Sequence, residues 1–340
     1  MAQINKPSEY FNTLIYTGND TDGRAITGVG FQPDWVWFKG RTVASDNEVY
    51  DAVRGATKNI ATNLTAAEAT NSNRLQSFDS DGFTLGNSTS VNKIYNYVAW
   101  NWRANGSGVS NTDGDITSTV SANTTSGFSV VKWTGTGSDG TIGHGLGVAP
   151  KMVIVKSLAN TTAWMVYHAS LGNAQEIYLN SSSGSGASTA WNSTTPTDAV
   201  ISLDGGAGNG VNASGDYIAY VFEEKKGFSK FGSYTGNGNT DGTFVYTGFK
   251  PALLIRKRTD ASNDWYINDN KRAGYNPQND YLFPNSTQTE SALQRFDFLS
   301  NGFKIRTTDG GDNASGGTYI YMAFAENPLV GTNNIPATAR

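Results

Sequence analysis

The chain has no cysteine in 340 residues, which excludes disulfides, thiolate zinc sites and a cysteine nucleophile. It has two histidines, His144 and His168, too few for a His-rich metal site. Charged residues (16%) and hydrophobic residues (37%) both fall below ordinary globular usage, so the bulk of the chain lies elsewhere. No apolar run approaches the roughly 18 residues of a membrane-spanning helix, so no membrane insertion is expected. Met1-Ala2-Gln3-Ile4-Asn5-Lys6-Pro7 lacks the apolar stretch of a secretory signal. A net charge of −4 argues against a broad nucleic-acid patch.

What fills the chain is glycine (39), asparagine (34), many serines and threonines, and an aromatic set of 8 Trp, 16 Tyr and 16 Phe. Disordered chains lack aromatics, so this one folds. Few charges, many turn formers and many aromatics describe short strands joined by many turns.

The chain repeats itself three times. The first copy reads Tyr16-Thr17-Gly18, Asp22-Gly23, then Gly30-Phe31-Gln32-Pro33 and Lys39. The second reads Trp133-Thr134-Gly135, Asp139-Gly140, then Gly147-Val148-Ala149-Pro150 and Lys156. The third reads Tyr234-Thr235-Gly236, Asp241-Gly242, then Gly248-Phe249-Lys250-Pro251 and Lys257. The aromatic-Thr-Gly, the proline and the lysine each step by 117 and then 101 positions. Middle segments also match, at Glu48–Asp51, Trp164–His168 and Trp265–Asp269. Each copy closes on an aromatic strand, read as Tyr95–Trp100, Tyr217–Phe222 and Tyr319–Phe324.

This pattern predicts an all-β protein of three tandem antiparallel β-sandwich domains, jelly-roll-like, with helix confined to short loop pieces. The domains are expected at 11–104, 127–229 and 230–328. Residues 1–10 form an N-terminal attachment arm, 105–126 a linker and 329–340 a mobile polar tail. Trp35-Val36-Trp37-Phe38 and Met152-Val153-Ile154-Val155 are apolar at every position, so they are central strands covered on both faces. The best helix window is 56–69. Asp-Gly and Asn-Gly pairs, such as Asp81-Gly82 and Asn301-Gly302, mark tight hairpins.

The motif Gly-Phe-Xaa-Pro-Xaa-Xaa-Val/Leu-Xaa-Xaa-Lys after Tyr-Thr-Gly-Asn resembles a β-domain family of tail-fibre-like and virion structural proteins of marine and cyanobacterial bacteriophages. Asn5–Phe11 and Tyr319–Pro328 carry the same likeness, which runs over roughly residues 4–328. The second copy departs most, with Val148 for Phe and His144 in its turn. The resemblance implies a virion component, on the surface of tail or capsid, assembled in the host cytoplasm. It implies neither a particular ligand nor a set of catalytic residues; no cofactor and no metal are expected.

Residue types that carry chemistry are scarce. Neither histidine adjoins a Gly-Xaa-Ser-Xaa-Gly elbow, so a Ser-His-Asp site is not expected. Asp79 with Asp81 and Glu223 with Glu224 are the carboxylate pairs to test for glycoside hydrolysis. Gly205–Gly210 reads as a surface loop, and no Lys-Ser/Thr follows it to make a phosphate cradle. Asp309-Gly310-Gly311-Asp312-Asn313 offers oxygen ligands for calcium, but reads first as a hairpin turn. Sugar stacking on exposed aromatics points to Trp191, Tyr275 and Tyr281, which lie outside the central strands. Trp35, Trp37, Trp100, Trp133 and Trp265 sit at repeat landmarks and read as core. The expected role is therefore a non-enzymatic virion protein, three sandwiches strung along one chain, serving as a tail fibre or adhesin in host attachment. A capsid decoration or head fibre, and a glycan-binding or glycan-degrading tail protein, are the alternatives. Its expected partners are other virion proteins through the N-terminal arm, and a host surface glycan. A homotrimer, and one chain whose three domains replace a trimer, both stay open.

Overall fold

The computed structural model describes residues 3–206, 210–331 and 336–338. The fold is the expected one in class: strands throughout, paired antiparallel in every sheet, with helix among the described residues limited to a 3-10 turn at Pro7–Glu9 and one short α-turn at Gly310–Asn313. The window 56–69 is not helical. It forms the strands Lys58–Ala61 and Ala69–Thr70, because Ile60 is drawn into the core as a strand residue.

One strand order recurs. In the first sheet Phe11–Thr17, Asn96–Trp102, Trp35–Gly40 and Glu48–Asp51 lie side by side, followed by Lys58–Ala61 and Ala69–Thr70. In the second the same order is Phe128–Gly135, Gly215–Phe222, Met152–Ser157 and Met165–His168, followed by Gln175–Tyr178 and Gly186–Ala187. In the third it is Ser229–Thr235, Thr318–Pro328, Phe249–Arg258 and Trp265–Asp269. A smaller sheet accompanies each, for example Arg24–Thr27, Gly82–Leu85 and Leu75–Asp79 in the first repeat. Gly82 and Gly302 open the matching hairpin strands for a steric reason. A Cβ there would lie about 2 Å from the carbonyl oxygens of Ile26 and Val245 on the adjacent strands.

The closing strand of the first repeat is shifted from the sequence reading. Tyr97, not Tyr95, matches Tyr217 and Tyr319: the three pair with Tyr16, Trp133 and Tyr234 and stack on them at 5.4, 5.3 and 4.7 Å. Tyr95 lies outside the strand and is exposed. A run of alternating aromatics matches itself when slid by two positions, so sequence alone mis-set the register.

The repeats are not strung out as separate bodies. One apolar core joins all three. Along each central strand alternate residues face opposite ways. Trp35 and Trp37, Met152 and Ile154, and Leu253 and Ile255 enter the shared core. Val36 and Phe38, Val153 and Val155, and Leu254 face cores private to their own repeats. The expectation of two covered faces therefore holds, and the cover on the second face is the other repeats.

Residues 105–126 are not a free linker. Val109–Asn111 and Ser118–Asn123 add two antiparallel strands to the open edge of the second sheet, which hides that edge from other chains. The N-terminal segment is no free arm either: Ile4 is buried in the shared core, and its amide donates to Lys226 O at 3.2 Å. Of the C-terminal stretch, Val330 pairs with Pro336, and the Leu329 amide donates to Gly248 O at 3.3 Å. Residues near both termini thus meet at one end of the shared core, where the Gln3 side-chain amide donates to Val330 O at 2.6 Å.

Candidate functional site

The three aromatic candidates fare differently. Trp191 is fully buried, because its Ser/Thr-rich loop folds inward and the indole fills the second repeat's own core, edge-on to Tyr167 at 5.6 Å. It cannot meet a sugar. Tyr281 is 5% exposed, its hydroxyl accepts from Arg295 Nη2 at 3.2 Å, and its ring lies under that guanidinium. It is also withdrawn from solvent. Tyr275, at 78% exposure, alone of the three presents its ring to solvent.

The residues with catalytic chemistry are held by structural bonds. His168 Nε2 lies 3.2 Å from Tyr321 O and its Nδ1 accepts from the Ser170 amide, so the proton sits on Nε2; burial pushes its pKa down to about 4. His144 is bonded in the same manner, between Thr197 O and the Leu146 amide. Asp79 accepts from Ser77 and Thr84, and Asp81 from the amides of Gly28 and Gly30, whose positive φ angles shape the loop it clamps. Glu223 pairs with Lys225 and Glu224 with Lys230. Residues 309–313 form the short α-turn in place of a hairpin or a calcium loop. Asp309 caps it by accepting from the Gly311 amide, and buried Asp312 lies between the guanidiniums of Arg256 and Arg295. Burial alone would raise the Asp312 carboxyl, but the two arginines hold it below the usual carboxylate range. Among the described residues no group of three His, Asp or Glu side chains is placed to hold a metal ion. Of the Gly205–Gly210 loop, residues 207–209 lie outside the described residues.

The repeat landmarks instead build a closed ring of contacts, the first repeat against the third, the third against the second, and the second against the first. The lysine one position before the end of each central strand is in phase with the inward residues and is fully buried. Lys39 Nζ donates to Ser45 O (2.5 Å) and, in the third repeat, to Ser286 O (3.2 Å). Lys257 Nζ donates to Arg258 O (2.8 Å) and, in the second repeat, to Ser182 O (3.1 Å). Lys156 Nζ donates to Ser157 O and Asn160 O, in a loop whose Thr162 amide bonds Thr65 O of the first repeat. Burial pushes all three amines down to about 8.

A second station sits beside the lysines. Trp164 Nε1 donates to Ala61 O at 2.9 Å, and Trp265 Nε1 to Tyr178 O at 2.9 Å. In the first repeat Asn47 stands at that place, and its Nδ2 donates to Phe283 O (3.1 Å) and Ser286 O (2.9 Å). The amides of residues 47, 164 and 265 each donate to an asparagine Oδ1, from Asn63, Asn180 and Asn285, at 2.8–3.0 Å. Sequence reading passed over these asparagines, although Asn63 and Asn180 keep the 117 offset; one asparagine among 34 carries little signal. Asn180→Ala should shift the urea midpoint by about 1–2 kcal/mol in stability, because the buried Trp164 amide loses its acceptor.

At a third station Tyr220 OH donates to Asp51 Oδ2 (2.8 Å), Trp100 Nε1 to Asp269 Oδ2 (3.0 Å), and His168 to Tyr321 O. Asp51 and Asp269 are each held by an arginine three residues on, Arg54 and Arg272. The second repeat has Leu171 at that place and a neutral histidine for the carboxylate.

A cleft lies at the end of the shared core that carries Gln3 and Val330. It has a volume of about 440 Å³, within the range of ligand pockets. Its walls include Gln3, Lys226, Lys230, Tyr246, Thr247 and Val330, with Tyr246 57% exposed. No curated protein and no solved structure matches the chain. A family model does match, over residues 6–328, a span that takes in all three copies of the repeat. By that match the chain belongs to the family described as "Domain of unknown function (DUF7483)".

Proposed function

We propose that the chain is a non-enzymatic structural protein of a bacteriophage particle, exposed at its surface as a tail fibre or adhesin in host attachment. One observation carries the reading. The residues behind the resemblance to virion proteins, the motif lysines above all, are buried in the ring and bonded to backbone carbonyls of their own and neighbouring repeats. The repeated motif therefore encodes an assembly, with no reacting group at its centre. A protein whose signature residues are interior bonds fits a particle component better than a catalyst. Gold-labelled antibody against the chain, imaged on purified virions, tests this: label on the tail is the expected result, and absence from virions sinks the proposal.

A capsid decoration is the second reading. The observation favouring it is the ring itself: three repeats closed on one another make a compact body, where a fibre would hold them in line. Label on the head would select this reading.

A further inference from the structure

The end of the shared core nearest the chain ends is marked by Trp102, Phe222 and Phe324, whose rings lie 5.6 Å (Trp102–Phe324) and 6.0 Å (Phe222–Phe324) apart. Four cations surround this aromatic trio. Arg103 directly follows Trp102, and its amide donates to Tyr10 O at 2.9 Å. The Lys151 amide donates to Phe222 O at 2.7 Å. Lys226 accepts on its carbonyl from the Ile4 amide. Lys271 borders a small cleft with Ser8 and Phe11. All four are exposed, and among the described residues none forms an ion pair.

The carboxylates of the same face are occupied. Glu9 pairs with Lys6, Glu223 with Lys225, Glu224 with Lys230, and Glu326 with Lys250. Asp34, which feels the Arg103 charge, is buried and accepts from the amides of Ala104 and Gly106. A protein of net charge −4 thus concentrates uncompensated positive charge on one face. Clefts of about 440, 310 and 340 Å³ flank the N-terminal segment on that face.

We infer that this face is a docking surface for an acidic protein partner. Complementary charge steers such a partner and fixes its orientation. The exposed Tyr246 ring and Val330 supply apolar contact between the charges, a mixture suited to a protein surface. Nucleic acid would call for a denser row of cations facing regularly spaced phosphates. The inference refines the attachment reading by placing the contact with the rest of the particle, but the charge pattern exists whether or not the chain is a virion component.

The test uses the purified full chain and fluorescein-labelled oligoglutamate as probe. The native chain should bind it, with affinity falling at least about tenfold between about 50 and about 200 mM salt. The variant R103E/K151E/K226E/K271E should lose at least about tenfold in Kd. A control reversing cations elsewhere, K93E/K132E/K304E, should stay within about twofold. An unchanged melting temperature shows that each variant is folded. Absence of binding, or equal loss in both variants, overturns the inference. Tighter binding of labelled heparin or duplex DNA at equal charge, lost in the same variant, overturns the assignment to a protein partner. Because virions are not involved, a negative result here is separate from a negative result in the labelling of particles.

Discussion

Asp312→Ala is expected to cost about 3–5 kcal/mol in unfolding free energy, enough to leave the third repeat's own core unfolded at moderate urea. Two buried guanidiniums depend on this one carboxylate. Arg256 Nε donates to Oδ1 and Arg295 Nη1 to Oδ2 at 2.6 Å. Both cations also lie against aromatic faces, Arg256 over Phe296 at 4.7 Å and Arg295 over Tyr266 at 4.8 Å. Cation–π attraction stabilises them further but does not replace a counter-ion. Removing the carboxylate leaves two positive charges facing each other in a dry interior, and neither arginine deprotonates to escape. Arg295 retains Asp309, at 2.8 Å, whereas Arg256 retains the neutral Asn268 amide. Asp312→Asn should recover part of the loss by keeping an acceptor oxygen. A midpoint in urea unchanged for Asp312→Ala would show that the triad contributes nothing.

The second large effect is with pH. Lys39, Lys156 and Lys257 have folded pKa values near 8, against roughly 10.4 for a free lysine. Between those values the unfolded chain holds more protons than the folded one, so stability rises with pH across that window. The cost of burying each charge is fully present below pH 8 and is relieved as the amines deprotonate. Going from about pH 7.5 to about pH 9.5 should add roughly 1–2 kcal/mol for each lysine. Buried Tyr16, Tyr50, Tyr220 and Tyr234 act in the opposite sense. Their folded pKa values lie well above 10, chiefly through burial, so stability falls again once free tyrosines ionise. His168 shapes the acid side: with its pKa held near 4, its contribution is lost as pH falls below about 6.5. Urea midpoints should therefore peak on the alkaline side of neutrality. A midpoint that falls steadily from pH 7.5 to 9.5 would rule out the lysine contribution, and Lys156→Met should flatten the rise.

Much of the architecture is legible in the sequence. Equal spacing of the proline, lysine and aromatic-Thr-Gly landmarks, with strands apolar at every position, led to an antiparallel all-β reading. The same apolar runs implied a cover on the second face, although the cover's identity was out of reach. Periodicity reports which residues face inward; it does not say whose interior they enter. Trp191 shows the limit most plainly. Its neighbours are serines and threonines, so composition placed it on the surface, whereas an indole that large fills a core wherever the loop can reach one. The 105–126 stretch failed in the same way, since Ser, Thr and Val alternate there as readily in a strand as in a tether. The charge excess at the end carrying Gln3 and Val330 was invisible because its four cations are far apart in the chain and average out in a net charge of −4.

The ring also constrains how the protein is made. Lys39 and Ser286 are 247 positions apart, and Trp100 reaches Asp269 across 169. A ribosome releases the first repeat long before those partners exist. Through that interval Trp35, Trp37, Trp100 and Trp102, all buried at the end, have no third repeat to cover them. Early exposed apolar surface is where association between nascent chains begins. The first repeat is thus most vulnerable while the third is still to come, and a truncation in the third repeat should be recovered in inclusion bodies more readily than one confined to the C-terminal stretch.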